Sequence, residues 1–197
     1  MLGSPTVDWQ TKRREVARSE ILSAAWDAAR ENGLAAITLR DVAARVGMQA
    51  PSLYSYFDSK HAIYDAMFGQ AWSEYDEIEK ELEERLPASP RAALKVGARA
   101  FFEFCVTDPA RHQLMNLRLI PNFTPSPESY APSVRVFERL RRQLSEFGVT
   151  EDADLDLMTA VIAGLIDQQL ANDPGGDRWG RLLDRAMDMY ADQVGLP

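Results

Sequence analysis

The chain has 197 residues, with 22 basic and 30 acidic side chains giving a formal net charge of −8. That length supports one large domain or two small ones around a real core, and a hydrophobic content of 46% belongs to a folded globular chain. The single cysteine, Cys105, excludes an internal disulfide, no apolar run reaches membrane-helix length, and the N-terminal MLGSPTVDWQTKRR lacks the apolar centre of a signal peptide, so a cytoplasmic protein is expected.

The charge is unevenly spread. Residues 1–60 hold eight basic and seven acidic side chains, against fourteen and twenty-three in the remainder. The acidic excess lies entirely in the second part, so a nucleic-acid surface, if present, belongs to the first. A surface so weakly basic suits site-specific binding by a dimer.

The first helix is expected over Thr11 to Asn32, with Ile21, Ala24, Ala25, Ala28 and Ala29 as a narrow apolar stripe and Asn32-Gly33 as its stop. Its start carries Lys12, Arg13 and Arg14. This cluster is either a solvated helix end or, with Arg14, a phosphate or minor-groove contact.

The stretch ITLRDVAARVGMQAPSLYSYFDSK, Ile37 to Lys60, reads as two short helices joined by a tight turn and the start of a third. Thr38 is an N-cap with Asp41 three positions on, resembling a capping box. Leu39, Val42, Ala43 and Val46 form one apolar face, and Gly47 suits a left-handed stop. The second helix is expected from about Gln49 to Tyr56. Its Pro51 falls in the first turn, where no N–H bond is lost. Leu53 and Phe57 face inward, leaving Gln49, Ala50, Ser52, Ser55 and Tyr56 outward.

This stretch resembles the DNA-binding domain of TetR-family transcriptional regulators. Their Thr-led helix, V-A-x-x-x-G-V turn, L-Y-x-x-F helix and terminal S-K correspond here to Thr38, Val42-Ala43, Gly47, Leu53-Tyr54, Phe57 and Ser59-Lys60. Met48 replaces a valine, and Gln49 stands where a Ser or Thr cap is usual. The resemblance implies an all-α protein: a three-helix helix-turn-helix domain over residues 1–60, then a helical ligand-binding and dimerisation domain over 61–197. It implies phosphate contacts by Thr38, Tyr54, Tyr56 and Lys60. Arg40, Gln49, Ala50 and Ser52 are expected to face base edges.

A long helix follows from about Ser59 to Glu84, with Ile63, Met67, Ala71, Tyr75 and Ile78 on one stripe and Trp72 beside it. Its charged end, Glu74 to Arg85, reads as solvated, and Pro87 and Pro90 close it. Arg91 to Thr107 is the next helix. Asp108-Pro109 reads as an N-cap and first position. Residues 121–132, with four prolines, read as a loop, and a helix begins near Val134 and ends at Gly148.

The last two helices are expected over Glu151 to Asn172 and Asp177 to Val194, each apolar on two faces. Leu155, Met158, Ile162, Leu165 and Gln169, with Trp179, Leu183, Ala186 and Tyr190, form the stripe assigned to a homodimer seam; the alternative is that both faces pack within one subunit. Leu157, Val161 and Gly164, with Leu182, Met187 and Met189, form the second stripe. The resemblance implies dimerisation through this pair as a four-helix bundle.

Aromatic and sulfur side chains are frequent in the second part. Trp72, Phe101, Phe104, Cys105, Met115, Phe137, Met158 and Ile162 are candidates for an apolar ligand cavity, each of which could equally be core. The two histidines, His61 and His112, lack metal-ligand spacing, and no nucleophile elbow, phosphate loop or zinc motif occurs. No cofactor, metal or catalytic activity is expected. Three readings follow: a ligand-responsive repressor of a pseudo-palindromic operator, a DNA binder controlled by a partner protein or acting architecturally, and a helical enzyme or binding module with a borrowed head. Operator binding separates the third from the others, and release of DNA by a small molecule separates the first from the second.

Overall fold

The computed structural model describes residues 6–197. Nine α-helices are found among them and no strand: α1 Thr6–Asn32, α2 Leu39–Arg45, α3 Ala50–Leu53, α4 Lys60–Glu83, α5 Pro90–Thr107, α6 Pro109–Asn116, α7 Pro127–Glu146, α8 Asp152–Asn172 and α9 Leu183–Gln193. The chain is all-α, as its periodicity indicates.

Local chemistry sets most boundaries. Thr38 Oγ1 accepts from the Asp41 amide at 3.1 Å and starts α2. Gly47, at φ 68°, ends it. Ser59 Oγ accepts from Ala62 N at 3.1 Å and starts α4, and Asp108 Oδ1 does the same for α6 through Arg111 N at 3.2 Å. α3 is shorter than its sequence suggests. Gln49 makes no capping bond, and the chain turns after Leu53, with Tyr56 N and Phe57 N both donating to the Leu53 carbonyl.

The segment expected to be a loop over 121–132 is helical from Pro127 onward. Ser126 caps α7 by accepting from Ser129 N at 3.2 Å, and Pro127 occupies the first position. Pro132 lies inside the helix and is buried. The missing N–H is tolerated because tertiary contacts hold this turn against α4. Asp65 accepts from Ser126 N at 2.6 Å, Ser126 Oγ at 2.9 Å and Ser129 Oγ at 2.8 Å. One turn further along α4, a Cβ at Gly69 would stand 3.1 Å from Ser129 Oγ, so the two helices meet there at the closeness a hydrogen allows.

The charged end of α4 is not simply solvated. Asp76 is fully buried, and Arg135 and Arg139 of α7 each reach it at 2.9 Å, with Lys80 at 3.3 Å. Arg139 also pairs with Glu79 at 2.6 Å. Burial works against the ionised form of Asp76, but the three cationic donors outweigh it and hold the carboxyl below its ordinary range. Asp76, Glu79 and Glu83 recur at offsets of three and seven, and Arg135, Arg139 and Arg142 at four and seven, so each set lies on one face of its helix.

One apolar core runs from Ile21 of α1 through Leu53 and Phe57 to Met67, Trp72 and Tyr75 of α4, and includes Leu114 and Met115 of α6. A second joins Leu94, Phe102 and Cys105 of α5 to Met158 and Ile166 of α8 and Met187 of α9. This second core revises the expected seam. Leu155, Met158, Ile162, Gln169, Leu183 and Tyr190 are buried inside the subunit, and Leu165, Trp179 and Ala186 are half-buried. Gln169 is occupied as well: its Oε1 accepts from Trp179 N at 2.8 Å, which fixes the turn between α8 and α9. The more apolar stripe of the pair therefore serves its own subunit. The outward stripe is the other one, with Leu157, Gly164, Leu182 and Met189 exposed, whereas Met187 is buried.

Asp76→Ala is expected to lower stability by roughly 1–3 kcal/mol, because α7 loses the carboxylate on which Arg135 and Arg139 converge, although Arg139 keeps Glu79 and Glu83 and Arg135 is half-exposed. Urea unfolding followed by circular dichroism measures it. Since the folded pKa lies below the unfolded one, this contribution is full above about pH 4 and disappears as pH falls through the folded value. The gap between the parent and the variant should therefore narrow in acid.

Candidate nucleic-acid interface and ligand cavity

The head is held by side chains that clamp backbone. Arg14 donates to Ser55 O at 2.7 Å, and Arg18 donates to Tyr56 O with its guanidinium 4.1 Å from the Phe57 ring centroid. α1 is thereby bound to the turn after α3. Tyr64 of α4 donates to Leu34 O at 2.5 Å and Lys60 Nζ to Ala35 O at 3.1 Å, which fixes the short 3-10 turn Leu34–Ala36.

What this scaffold presents is a small exposed surface made by α2, α3 and the following turn. Arg40, Gln49, Pro51, Ser52, Tyr54 and Ser55 are exposed there and Ala50 is half-exposed. Arg40 has no ion pair among the described residues. The Gln49 side chain makes no capping bond and is free to meet a ligand. Thr38 is exposed, and its hydroxyl is engaged with Asp41. Arg14 and Tyr56 form one unit, the guanidinium 5.6 Å from the ring centroid. Lys60 is the least free of the expected phosphate contacts, because its ammonium is already used on Ala35. The candidates for phosphate and base contact on α2, α3 and the turn are thus largely exposed, though Thr38, Arg14 and Lys60 also have partners within the head.

Behind the head, a cavity of about 630 Å³ opens among α4, α5, α7 and α8, within the range of about 300–1,000 Å³ common for small-molecule sites. Trp72, Tyr75 and Glu79 line it from α4, Phe101 from α5, Phe137 and Arg139 from α7, and Met158 and Ile162 from α8. Trp72 and Phe101 stack with centroids 6.2 Å apart, and Tyr75 meets Phe101 edge-on at 4.9 Å. Of the eight cavity candidates, Phe104, Cys105 and Met115 are elsewhere. Phe104 packs on Tyr75 and under Arg111, whose guanidinium is 4.0 Å from the ring centroid. Cys105 is fully buried in the second core, where burial pushes its thiol up to about 12. Met115 belongs to the first core.

Glu79, Glu83, Arg139 and Arg142, four of the six charged members of the wall, are not part of any apolar stripe. The matched spacing of acids on α4 and arginines on α7 is the signal that could have found them. Burial pushes the Glu79 carboxyl up to about 7, although Arg139 pulls the other way.

Residues 21–67 match the family described as bacterial regulatory proteins, tetR family. The head of the chain is therefore of the TetR-family type. Solved structures share its fold. A protein of unknown function from Rhodococcus sp. RHA1 aligns at TM-score 0.77 with 16% identity, over 90% of this chain and 94% of that one. The transcriptional regulator FadR from Bacillus subtilis, solved with stearoyl-CoA, aligns at 0.71 with 18% identity, over 87% and 96%. The TetR-family regulator PfmR from Thermus thermophilus aligns at 0.63 with 26% identity, over 86% and 96%. No curated protein matches the sequence.

For a TetR-family head, the exposed set divides by what each contact sees. Phosphate contacts set affinity and base contacts set preference. Arg40→Ala is expected to cost roughly 1–3 kcal/mol on the preferred site and to relax one base position. Tyr54→Phe should weaken all sequences alike. Quantitative binding to a randomised half-site library distinguishes the two; exchanged phenotypes would refute the assignment.

Proposed function

We propose that the chain is a ligand-responsive repressor that binds a pseudo-palindromic operator as a homodimer and leaves it when a small, mostly apolar molecule enters the cavity. The observation that carries this reading is a shared helix. α4 begins at Lys60, directly after the DNA-facing turn, and its next turns supply Trp72, Tyr75 and Glu79 to the cavity wall. A molecule that favours one position of α4 thereby favours one position of the head. The likeness to FadR, a regulator solved with a bound acyl-CoA, supports a ligand site in this fold. Effector and operator are then coupled through their differential affinity for two states, typically by about 1–3 kcal/mol.

The head is joined to the body at further points that such a movement would have to strain. Arg30 of α1 donates twice to Asp108, the cap of α6, at 2.8 and 3.0 Å, and Trp26 Nε1 donates to Gln70 of α4 at 3.1 Å. For the dimer, the outward stripe of α8 and α9 is the candidate surface. Leu157 and Met189 are exposed, and a side chain at Gly164 would enter open space. Pairing through this stripe gives one recognition segment per half-site, with half-site centres about one helical turn apart.

Two outcomes are expected. Leu157→Glu and Gly164→Arg should yield monomers in analytical ultracentrifugation and lose operator affinity while keeping their helical content. An effector obtained by screening for release of selected operator DNA should bind at the cavity, and Trp72→Ala should weaken both its binding and its effect on DNA. A chain that holds its operator unchanged across such a screen and instead releases it to a protein would be partner-controlled.

A further inference from the structure

The wall charges are unbalanced. Glu79, Glu83, Glu146 and Asp156 line the cavity with only Arg139 and Arg142 for compensation. Both guanidiniums are already closed by acids. Arg139 contacts Asp76 at 2.9 Å, Glu79 at 2.6 Å and Glu83 at 3.3 Å, and Arg142 contacts Glu83 and, at 3.9 Å, Glu146. An anionic head group would have to displace those carboxylates and would add to a negative surplus. A cation would relieve it.

Glu79 is the least exposed of these four acids, and relief is most needed there. Asp76 has three cationic neighbours and Glu83 has two, whereas Glu79 has only the Arg139 that it shares with both. Tyr75 and Trp72 precede it on the same face of α4, and ring faces attract cations. A separate observation also points to a ligand. Four buried side-chain polar atoms among the described residues have no hydrogen-bond partner, and of these Trp72 Nε1 alone belongs to a residue of the cavity wall. Trp72 is 4% exposed, so the protein leaves a buried donor without an acceptor.

We propose that the cavity takes an amphiphilic cation: a positively charged nitrogen held by Glu79 and the neighbouring rings, an apolar body among Phe101, Met158 and Ile162, and an acceptor oxygen for Trp72. This rests on the ligand-responsive reading and gives that ligand a chemical class. The charge acting on Glu79 comes from Arg139 across on α7 and from Asp76 and Glu83 on its own helix. Because burial favours the neutral acid, binding a cation draws a proton off Glu79, and affinity rises with pH through its titration range.

Isothermal titration of the full chain, below micelle-forming concentrations, compares lauroylcholine, dodecyltrimethylammonium and dodecanoate. Lauroylcholine should bind at least about ten-fold tighter than dodecanoate, and more tightly at about pH 8 than at about pH 6. Glu79→Gln should cost about ten-fold and remove the pH dependence, with the melting temperature of the unliganded protein showing that it remains folded. Trp72→Phe, which keeps a ring and removes the donor, should weaken lauroylcholine and spare dodecyltrimethylammonium, which has no ester. Equal or tighter binding of dodecanoate, failure of both cations to bind, or an unchanged affinity in Glu79→Gln overturns the proposal. If dodecanoate binds and also releases operator DNA, the cationic class falls while ligand-responsive regulation stands.

Discussion

Asp76 sits fully buried on α4, and a carboxylate removed from water is costly unless its charge and lone pairs are answered. Arg135 and Arg139 answer it from α7 and Lys80 from one turn along its own helix. The angle and register of α4 against α7 follow from meeting that requirement. Apolar packing alone would accept neighbouring registers at similar cost, whereas two guanidiniums converging on one carboxylate accept few. Asp65 fixes the other end of the same contact by receiving the cap of α7, and Gly69 lets the backbones approach between the two.

The cavity inherits its shape from this contact. α4 and α7 form one side and α5 and α8 the other, so the polar cluster that positions the helices also supplies charged groups to the wall. Arg139 belongs to both: it completes the buried cluster around Asp76 and pairs with Glu79 and Glu83 in the cavity wall. A ligand that disturbs Glu79 therefore acts on the group that sets α4 against α7. Under the proposed function, that is a short physical route from an occupied cavity to a displaced α4, which begins at Lys60, whose own ammonium holds the turn at Ala35.

The head follows the same logic on a smaller scale. Its core sets the small residues Ala24, Ala25, Ala28 and Ala29 of α1 beside Ile21, Leu34, Ile37, Val42, Leu53 and Phe57, all buried, so apolar area holds helices that small side chains let approach closely. Backbone clamps add to this hold, with the Arg14 and Arg18 guanidiniums tied to the carbonyls of Ser55 and Tyr56 and their charge fixed beside the turn after α3.

The sequence by itself determined the all-α class, the helix-turn-helix and most helix starts, because these depend on local rules: the Thr38 and Ser59 caps, the left-handed stop at Gly47, the Asp108-Pro109 start. It offered Trp72, Phe101, Phe104, Cys105, Met115, Phe137, Met158 and Ile162 as candidates for a ligand cavity, each of which could equally be core. Tertiary structure decided what periodicity leaves open. Pro127 and Pro132 look like loop residues until α4 is placed beside them. Glu74 to Arg85 looks solvated until the arginines of α7 arrive at matching spacing. Either apolar stripe on α8 could meet a symmetry mate as far as a helical wheel shows, and only the position of α5 assigns Leu155, Met158 and Ile162 to the subunit's own core and leaves Leu157 and Gly164 outside. Phe104, Cys105 and Met115 fell on the core side of their helices for the same reason: a stripe shows that a face is buried, and the partner helix determines whether it meets a neighbour or a cavity.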